Sequence, residues 1–229
     1  MCIIIAMTPR RFVIPDIHGC ALTLQRLVEE VIHFRKTDTL YLLGDYIDRG
    51  PRSREVLELI RSWRDDGFTI HPLRGNHEEM LLNACHDRAS FRLWMLNGGG
   101  ATLASFGVED ACEIPLTYRT MLADLPLYLK LDDVVLVHAG LNFDLDDPFS
   151  DREAMLWLRP TSVDNVQLGG RKLVCGHTPQ TRKAIEASLA TGLITLDNGC
   201  VYAGMPGMGS LSVLELNTHN LMFQENIDH

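Results

Sequence analysis

What the chain lacks narrows the field first. No run approaches the ~18 apolar residues of a membrane span. The apolar opening, Met1–Met7, is too short for a signal peptide and has no basic stretch before it. No membrane partner is therefore expected. The six cysteines (Cys2, Cys20, Cys85, Cys112, Cys175 and Cys200) form no Cys-x-x-Cys pair. That excludes zinc-finger and redox-motif spacing and reads as reduced, buried thiols in a cytoplasmic protein. Internal repeats, low-complexity tracts and Pro/Gly/Ser-rich linkers are also missing, so residues 1–229 read as one domain. Basic residues are scarce, 21 against 30 acidic, for a formal net charge of -9. This argues against a nucleic-acid partner, which normally requires a basic face. An anionic substrate stays open, because a metal can supply positive charge locally.

What is present is a repeated pattern of strand, polar turn and helix. Residues 11–14 read as a short buried strand ending at Pro15-Asp16, followed by helical spacing of Leu24, Leu27, Val28, Val31 and Ile32 over residues 20–34. Residues 39–43 form the next strand, then a helix over 53–64 with Ser53 as N-cap, then a strand over 68–73. Residues 78–129 read as mostly helical, broken at Asn97-Gly-Gly-Gly100. Beyond them, 128–131, 134–137, 172–175, 184–188, 193–196 and 211–216 all read as strands. Alternation first and strands later predict α/β packing of mixed sheets, two sheets with helices outside.

The chemistry gathers where strands end, the place open α/β sheets put their sites. Five polar clusters follow in order: Asp16-Ile-His18-Gly19, Gly44-Asp45-Tyr-Ile-Asp48-Arg49-Gly50, Arg74-Gly75-Asn76-His77-Glu78, Val137-His138-Ala-Gly140 and Cys175-Gly176-His177-Thr178. Asp16 and His18, two apart in extended chain, project to one side and can share a metal. One Asp-x-His pair means little, and a single histidine after a strand is ordinarily a core or loop residue. Four of nine histidines in such a context mean more. Imidazoles and carboxylates together suit borderline divalent metals such as zinc, iron or manganese. His33, His71, His86, His219 and His229 lack that context. The acidic run Asn142-Phe-Asp144-Leu-Asp146-Asp147 reads as a solvated loop.

Taken together, these blocks, from residue 16 to residue 178, resemble the signature motifs of the PPP family of serine/threonine phosphatases. Asn97-Gly-Gly-Gly100 and Gly176-His177-Thr178-Pro179 are similar to its bacterial and phage subgroup. The resemblance implies a metallophosphoesterase-like central β-sandwich flanked by helices. It implies two divalent metal ions, manganese first and iron or zinc as alternatives. One would lie on Asp16, His18 and Asp45, the other on Asp45, Asn76, His138 and His177, with Asp45 bridging. It implies His77 as general acid oriented by Asp48, and Arg49 and Arg74 on the phosphoryl oxygens. Arg159, in Trp157-Leu-Arg159, matches a third arginine of the subgroup. The implied partner is a phosphorylated protein or peptide. No regulatory subunit is expected, since the chain runs only to His229, shortly after the last predicted strand.

Asp48 beside His77 would keep that imidazole charged. The residues from Glu78 to Leu129, between two site clusters in the chain, would lie over or beside the cleft and govern substrate choice more than chemistry. The nearest rival is a symmetric dinucleoside tetraphosphatase, in which the Asp48 position and the Arg-Gly-Asn-His-Glu block are expected to differ. A catalytically dead binding module on the same fold is disfavoured, because every ligand and acid position is occupied.

Overall fold

A computed structural model describes residues 8–228. The apolar opening with Cys2, and His229, lie outside the described residues. Two mixed sheets face each other. The first runs β3-β2-β1-β8-β9, with β1 (Arg11–Ile14), β2 (Thr39–Leu42) and β3 (Thr69–Pro72) parallel, and β8 (Ser210–Glu215) and β9 (Asn220–Glu225) antiparallel to their neighbours. The second runs β4-β5-β6-β7, with β4 (Tyr128–Lys130) antiparallel to β5 (Val134–Val137), and β5, β6 (Lys172–Cys175) and β7 (Leu193–Thr195) parallel.

Alternation along each strand decides what faces what. Val13 of β1 and Leu214 of β8 meet Leu136, Val174 and Ile194 in the core between the sheets. Phe12 and Ile14, one residue away on either side, face the opposite layer. That layer holds α1 (Ala21–Arg26), which continues as a wider turn over Leu27–Val31, and α2 (Ser53–Asp65), α3 (Asn76–Ala84), α4 (Arg88–Trp94), α5 (Gly100–Phe106) and α6 (Leu116–Ala123). Beneath the second sheet, α7 (Arg152–Trp157) covers Val135, Val137, Leu173 and Cys175 through Met155. The remaining helix, α8 (Arg182–Ser188), packs Ile185 into the inter-sheet core.

Several expectations need correcting. Residues 184–188 are helical, not a strand. Thr181 Oγ1 accepts the Ala184 N–H at 3.3 Å and starts the helix, and only Ile185 in it is buried. Helix α7 and strand β9 were not anticipated; α7 is started by Asp151, whose side chain accepts from Ala154 N at 3.0 Å. The thiols are not uniformly buried. Cys20, Cys175 and Cys200 are, Cys85 is partly exposed and Cys112 is exposed; all five are free. The acidic loop is exposed at Asp144, Asp146 and Asp147. No helix among the described residues is long and apolar enough to cross a membrane.

Two polar ties close the structure. Arg11, on β1, forks onto Asp133 in the β4–β5 turn, with Nη1–Oδ1 and Nη2–Oδ2 at 2.9 and 2.8 Å, and so joins the two sheets. Asp228 accepts Leu22 N and Thr23 N, each at 2.9 Å, at the start of α1. Cys20, the residue before that helix, offers no side-chain cap, so the late residue supplies it in trans.

Candidate active site

Parallel strands bring their carboxyl ends to one edge, so β1, β2, β3, β5 and β6 deliver their polar clusters to one place. The backbone there is strained. Among the described residues, seven non-glycine residues have positive φ, and five of them are His18, Asp45, Asp48, Arg49 and His177. Such strain persists only where the surroundings over-determine it, and it gathers at functional sites. Two glycines are needed for close approach. A Cβ at Gly75 would collide with Asp45 Oδ1, and one at Gly176 with Asp16 Oδ1.

Glu78 stitches two of the clusters together. Its Oε2 accepts the N–H groups of Gly75 and Asp45 at 2.9 and 2.8 Å, and its Oε1 accepts that of Tyr46 at 2.8 Å. Burial nevertheless pushes its carboxyl up to about 7 against these three donors.

Asp45 lies at the centre. Its Oδ2 is 3.6 Å from His18 Nε2 and 3.9 Å from His77 Nε2, and its Oδ1 is 3.5 Å from His138 Nε2. Asn76 Oδ1 lies 2.8 Å from His138 Nε2 and 3.0 Å from His177 Nδ1. Two groups of potential ligand atoms result, His18–Asp45–His77 and Asp45–His138–His177, each within 4.8 Å and both sharing Asp45. Asp16 is buried beside them, and its Oδ1 accepts His177 N at 2.8 Å.

The donor set fits a pair of divalent cations. His18 Nδ1 donates to Ile47 O at 2.9 Å and His138 Nδ1 to Leu43 O at 3.0 Å. These bonds fix the tautomers and turn both Nε2 lone pairs inward. Burial holds both imidazoles well below their ordinary value, hence neutral. Burial, with repulsion from neighbouring carboxylates, pushes Asp16 and Asp45 well above theirs. Lone pairs of neutral rings and reluctant carboxylates converging on one buried place call for positive charge, which a cation supplies.

His77, a member of the first group, differs from the other rings. Its Nδ1 bonds Asp48 Oδ2 at 2.7 Å, leaving Nε2 to face inward. Burial lowers this imidazole by more than the Asp48 hydrogen bond and charge raise it. The expectation that Asp48 keeps the ring charged is therefore not met in the free site, where burial outweighs the carboxylate; Asp48 fixes the ring's tautomer and plane.

The arginines differ among themselves. Arg49 is exposed, and its Nη1 reaches His18 Nε2 at 2.6 Å. Arg159 is exposed too, and after burial its cation is the next cause holding the His177 imidazole down to about 4. The Trp157 ring stands edge-on to His177 at 6.3 Å. Arg74 faces elsewhere. Its guanidinium binds Glu79 Oε2 at 2.9 Å and the Ala123 carbonyl, beside α6. The phosphoryl contact expected of it is not what this arrangement offers, because both terminal nitrogens are engaged there.

The segment between α4 and α5 does lie at the rim. Gly98 O accepts the Arg49 N–H at 3.2 Å, and Leu96 is 86% exposed. Asp197 was missed. It follows β7, is buried, and repels Asp16 while burial pushes its own carboxyl up to about 6. The rule that found the other clusters, a polar residue at a strand's carboxyl end, applies to it as well.

Known proteins fit this geometry. The profile of the calcineurin-like phosphoesterase family matches residues 9–206. The chain is 31% identical over 210 residues to serine/threonine-protein phosphatase 1 of Salmonella typhimurium, covering 84% of this chain and 88% of that protein. It is 33% identical over 137 residues to a symmetrical bis(5'-nucleosyl)-tetraphosphatase of Vibrio campbellii, a match to 59% of this chain that spans about half (47%) of that protein's length. Among solved structures, a serine/threonine phosphatase of Saccharomyces cerevisiae superposes with a TM-score of 0.68 at 16% identity, covering 98% of this chain and 82% of that one, a likeness of fold. The two mixed sheets, the strand-end cluster around Asp45 and the match across residues 9–206 lead to one conclusion: the chain belongs to the calcineurin-like phosphoesterase family.

Proposed function

We propose that this protein hydrolyses phosphoserine and phosphothreonine monoesters of proteins or peptides, with phosphotyrosine also within its reach, by direct attack of water and without a covalent phosphoenzyme. Two divalent cations, manganese first and iron or zinc as alternatives, would be held by Asp16, His18, Asp45, Asn76, His138 and His177, and when bound they supply Lewis acidity and an acidified water. The chain's own groups do the rest. Arg49 and Arg159 bind and orient the non-bridging phosphoryl oxygens. As the phosphorus–oxygen ester bond breaks, the His77 Nε2 proton passes to the leaving oxygen. Asp48 holds that ring's other nitrogen in place. The phosphate dianion raises the lowered His77 imidazole as it binds, so the donor is charged when needed.

The observation that carries this reading is the buried Asp48–His77 pair at 2.7 Å. A positioned proton donor matters when the leaving group is strongly basic, as a serine or threonine alkoxide is. A nucleotide leaving from a tetraphosphate is a weak base and gains little from one. The second reading, a dinucleoside tetraphosphatase, is favoured by the 33% identity to the Vibrio campbellii protein. The two separate on a panel of phosphoserine, phosphothreonine and phosphotyrosine peptides with diadenosine tetraphosphate, each followed by kcat/KM in manganese. Higher values for the phosphoserine and phosphothreonine peptides are expected. A clear preference for the tetraphosphate would transfer the assignment to the second reading.

A further inference from the structure

We propose that Trp94 and Thr102 are positioning residues for the reaction: acting through Asp48, they hold His77 in line with the leaving oxygen. This rests on the reading of His77 as proton donor. Asp48 has no exposed surface, and each of its oxygens is engaged. Oδ2 accepts both His77 Nδ1 at 2.7 Å and Trp94 Nε1 at 2.8 Å. Oδ1 accepts the Thr102 hydroxyl at 2.6 Å. The backbone N–H of Asp48 returns to Thr102 Oγ1 at 2.9 Å and to Ser53 Oγ at 3.1 Å.

The terminal torsion of an aspartate is soft, with no sharp rotamer wells. A carboxylate holding one imidazole alone would let that ring swing. Donors from two helices, one on each oxygen, lock its plane. Trp94 closes α4 and Thr102 lies in α5, on opposite sides of the kink where Gly98 has φ 106°. The indole is itself immobilised, because it packs so closely over Gly99 that a Cβ there would overlap its ring. A helical threonine ordinarily spends its hydroxyl on a carbonyl of its own helix. Here the hydroxyl and the indole N–H both serve a carboxylate, where charge makes the hydrogen bonds stronger. Between these two contacts, Gly98 O holds the Arg49 N–H, so one segment braces the proton-donor pair and a phosphate-binding residue.

The experiment measures kcat and KM of the full chain on a phosphoserine peptide, a phosphotyrosine peptide and p-nitrophenyl phosphate. The variants are Trp94→Phe, Thr102→Val, Thr102→Ser, His77→Asn and the double variant Trp94→Phe/His77→Asn, with thermal midpoints recorded for each. Trp94→Phe keeps the ring in place and deletes the N–H. It should lower kcat about tenfold on phosphoserine and less on the better leaving groups, with KM little changed. Thr102→Val should show the same ordering, and Thr102→Ser should restore the rate. Added to His77→Asn, Trp94→Phe should cost nothing further. Equal losses on all three substrates, or a further loss in the double variant, would overturn the proposal alone. A uniform loss in His77→Asn itself would overturn the proton-donor reading and this inference with it. If Thr102→Val fails to fold, Trp94→Phe and Thr102→Ser still decide.

Discussion

At Asp45 both carboxylate oxygens are shared, one towards His18 and His77, the other towards His138. Asn76 Oδ1 bonds on the His138–His177 side. Asp45→Asn should therefore weaken retention of both cations, by about tenfold or more, while Asn76→Ala should chiefly empty one site. Elemental analysis of the purified variants checks this, and normal metal content with normal activity in Asp45→Asn would refute the shared role. At this scale the residues were legible where a carboxylate or histidine interrupts an apolar run at a strand's end, as Asp16, Asp45, His138 and His177 do. Asp197 does so too, although Asp197-Asn-Gly fits a plain turn equally well. Arg74 shows the other limit. Its place in the chain was clear, yet the direction of its side chain is decided by Glu79 and the Ala123 carbonyl, and neither preference is written in the motif.

Among the elements, the parallel strands were clear because they are short apolar runs with a polar stop. Helix α8 was misread because Ile185 and its alanines resemble a short strand unless Thr181 is recognised as the cap. Strand β9 was missed because only its hairpin partner β8 is strongly apolar, its own residues being half-exposed. The late cap on α1 could not be foreseen, since Asp228 and Thr23 are 205 residues apart. Asp228→Ala should remove that cap and cost about 1–2 kcal/mol. A lowered urea midpoint with an unchanged slope would record it. Asp228→Asn, which keeps an acceptor, should lose less. Equal stability of Asp228→Ala and the parent would mean that water caps α1 equally well.

For the molecule as a whole, stability should depend on acid through its paired carboxylates. Asp38, joined to Arg10 at 2.5 Å and to the backbone N–H of Arg35 at 3.0 Å, pays for its burial, but these bonds outweigh that and hold its carboxyl below the ordinary value. The folded chain then takes up this proton less readily than the unfolded one. The contribution is complete above the ordinary carboxylate value of ~4 and disappears as pH falls through the lower folded value. Asp38→Asn should thus cost about 1–2 kcal/mol near neutral pH, and its curve should meet the parent's at low pH. Denaturation midpoints across pH 2–7 would show whether the curves converge; parallel curves would mean Asp38 contributes no charge.

Activity should require two cations at the cluster around Asp45. The most direct test strips the protein with a chelator, adds manganese back in steps, and follows bound cation per chain alongside hydrolysis of p-nitrophenyl phosphate. No turnover is expected in the stripped protein, which keeps its fold, and full turnover only as occupancy approaches two per chain. Undiminished hydrolysis by the stripped protein would contradict that requirement.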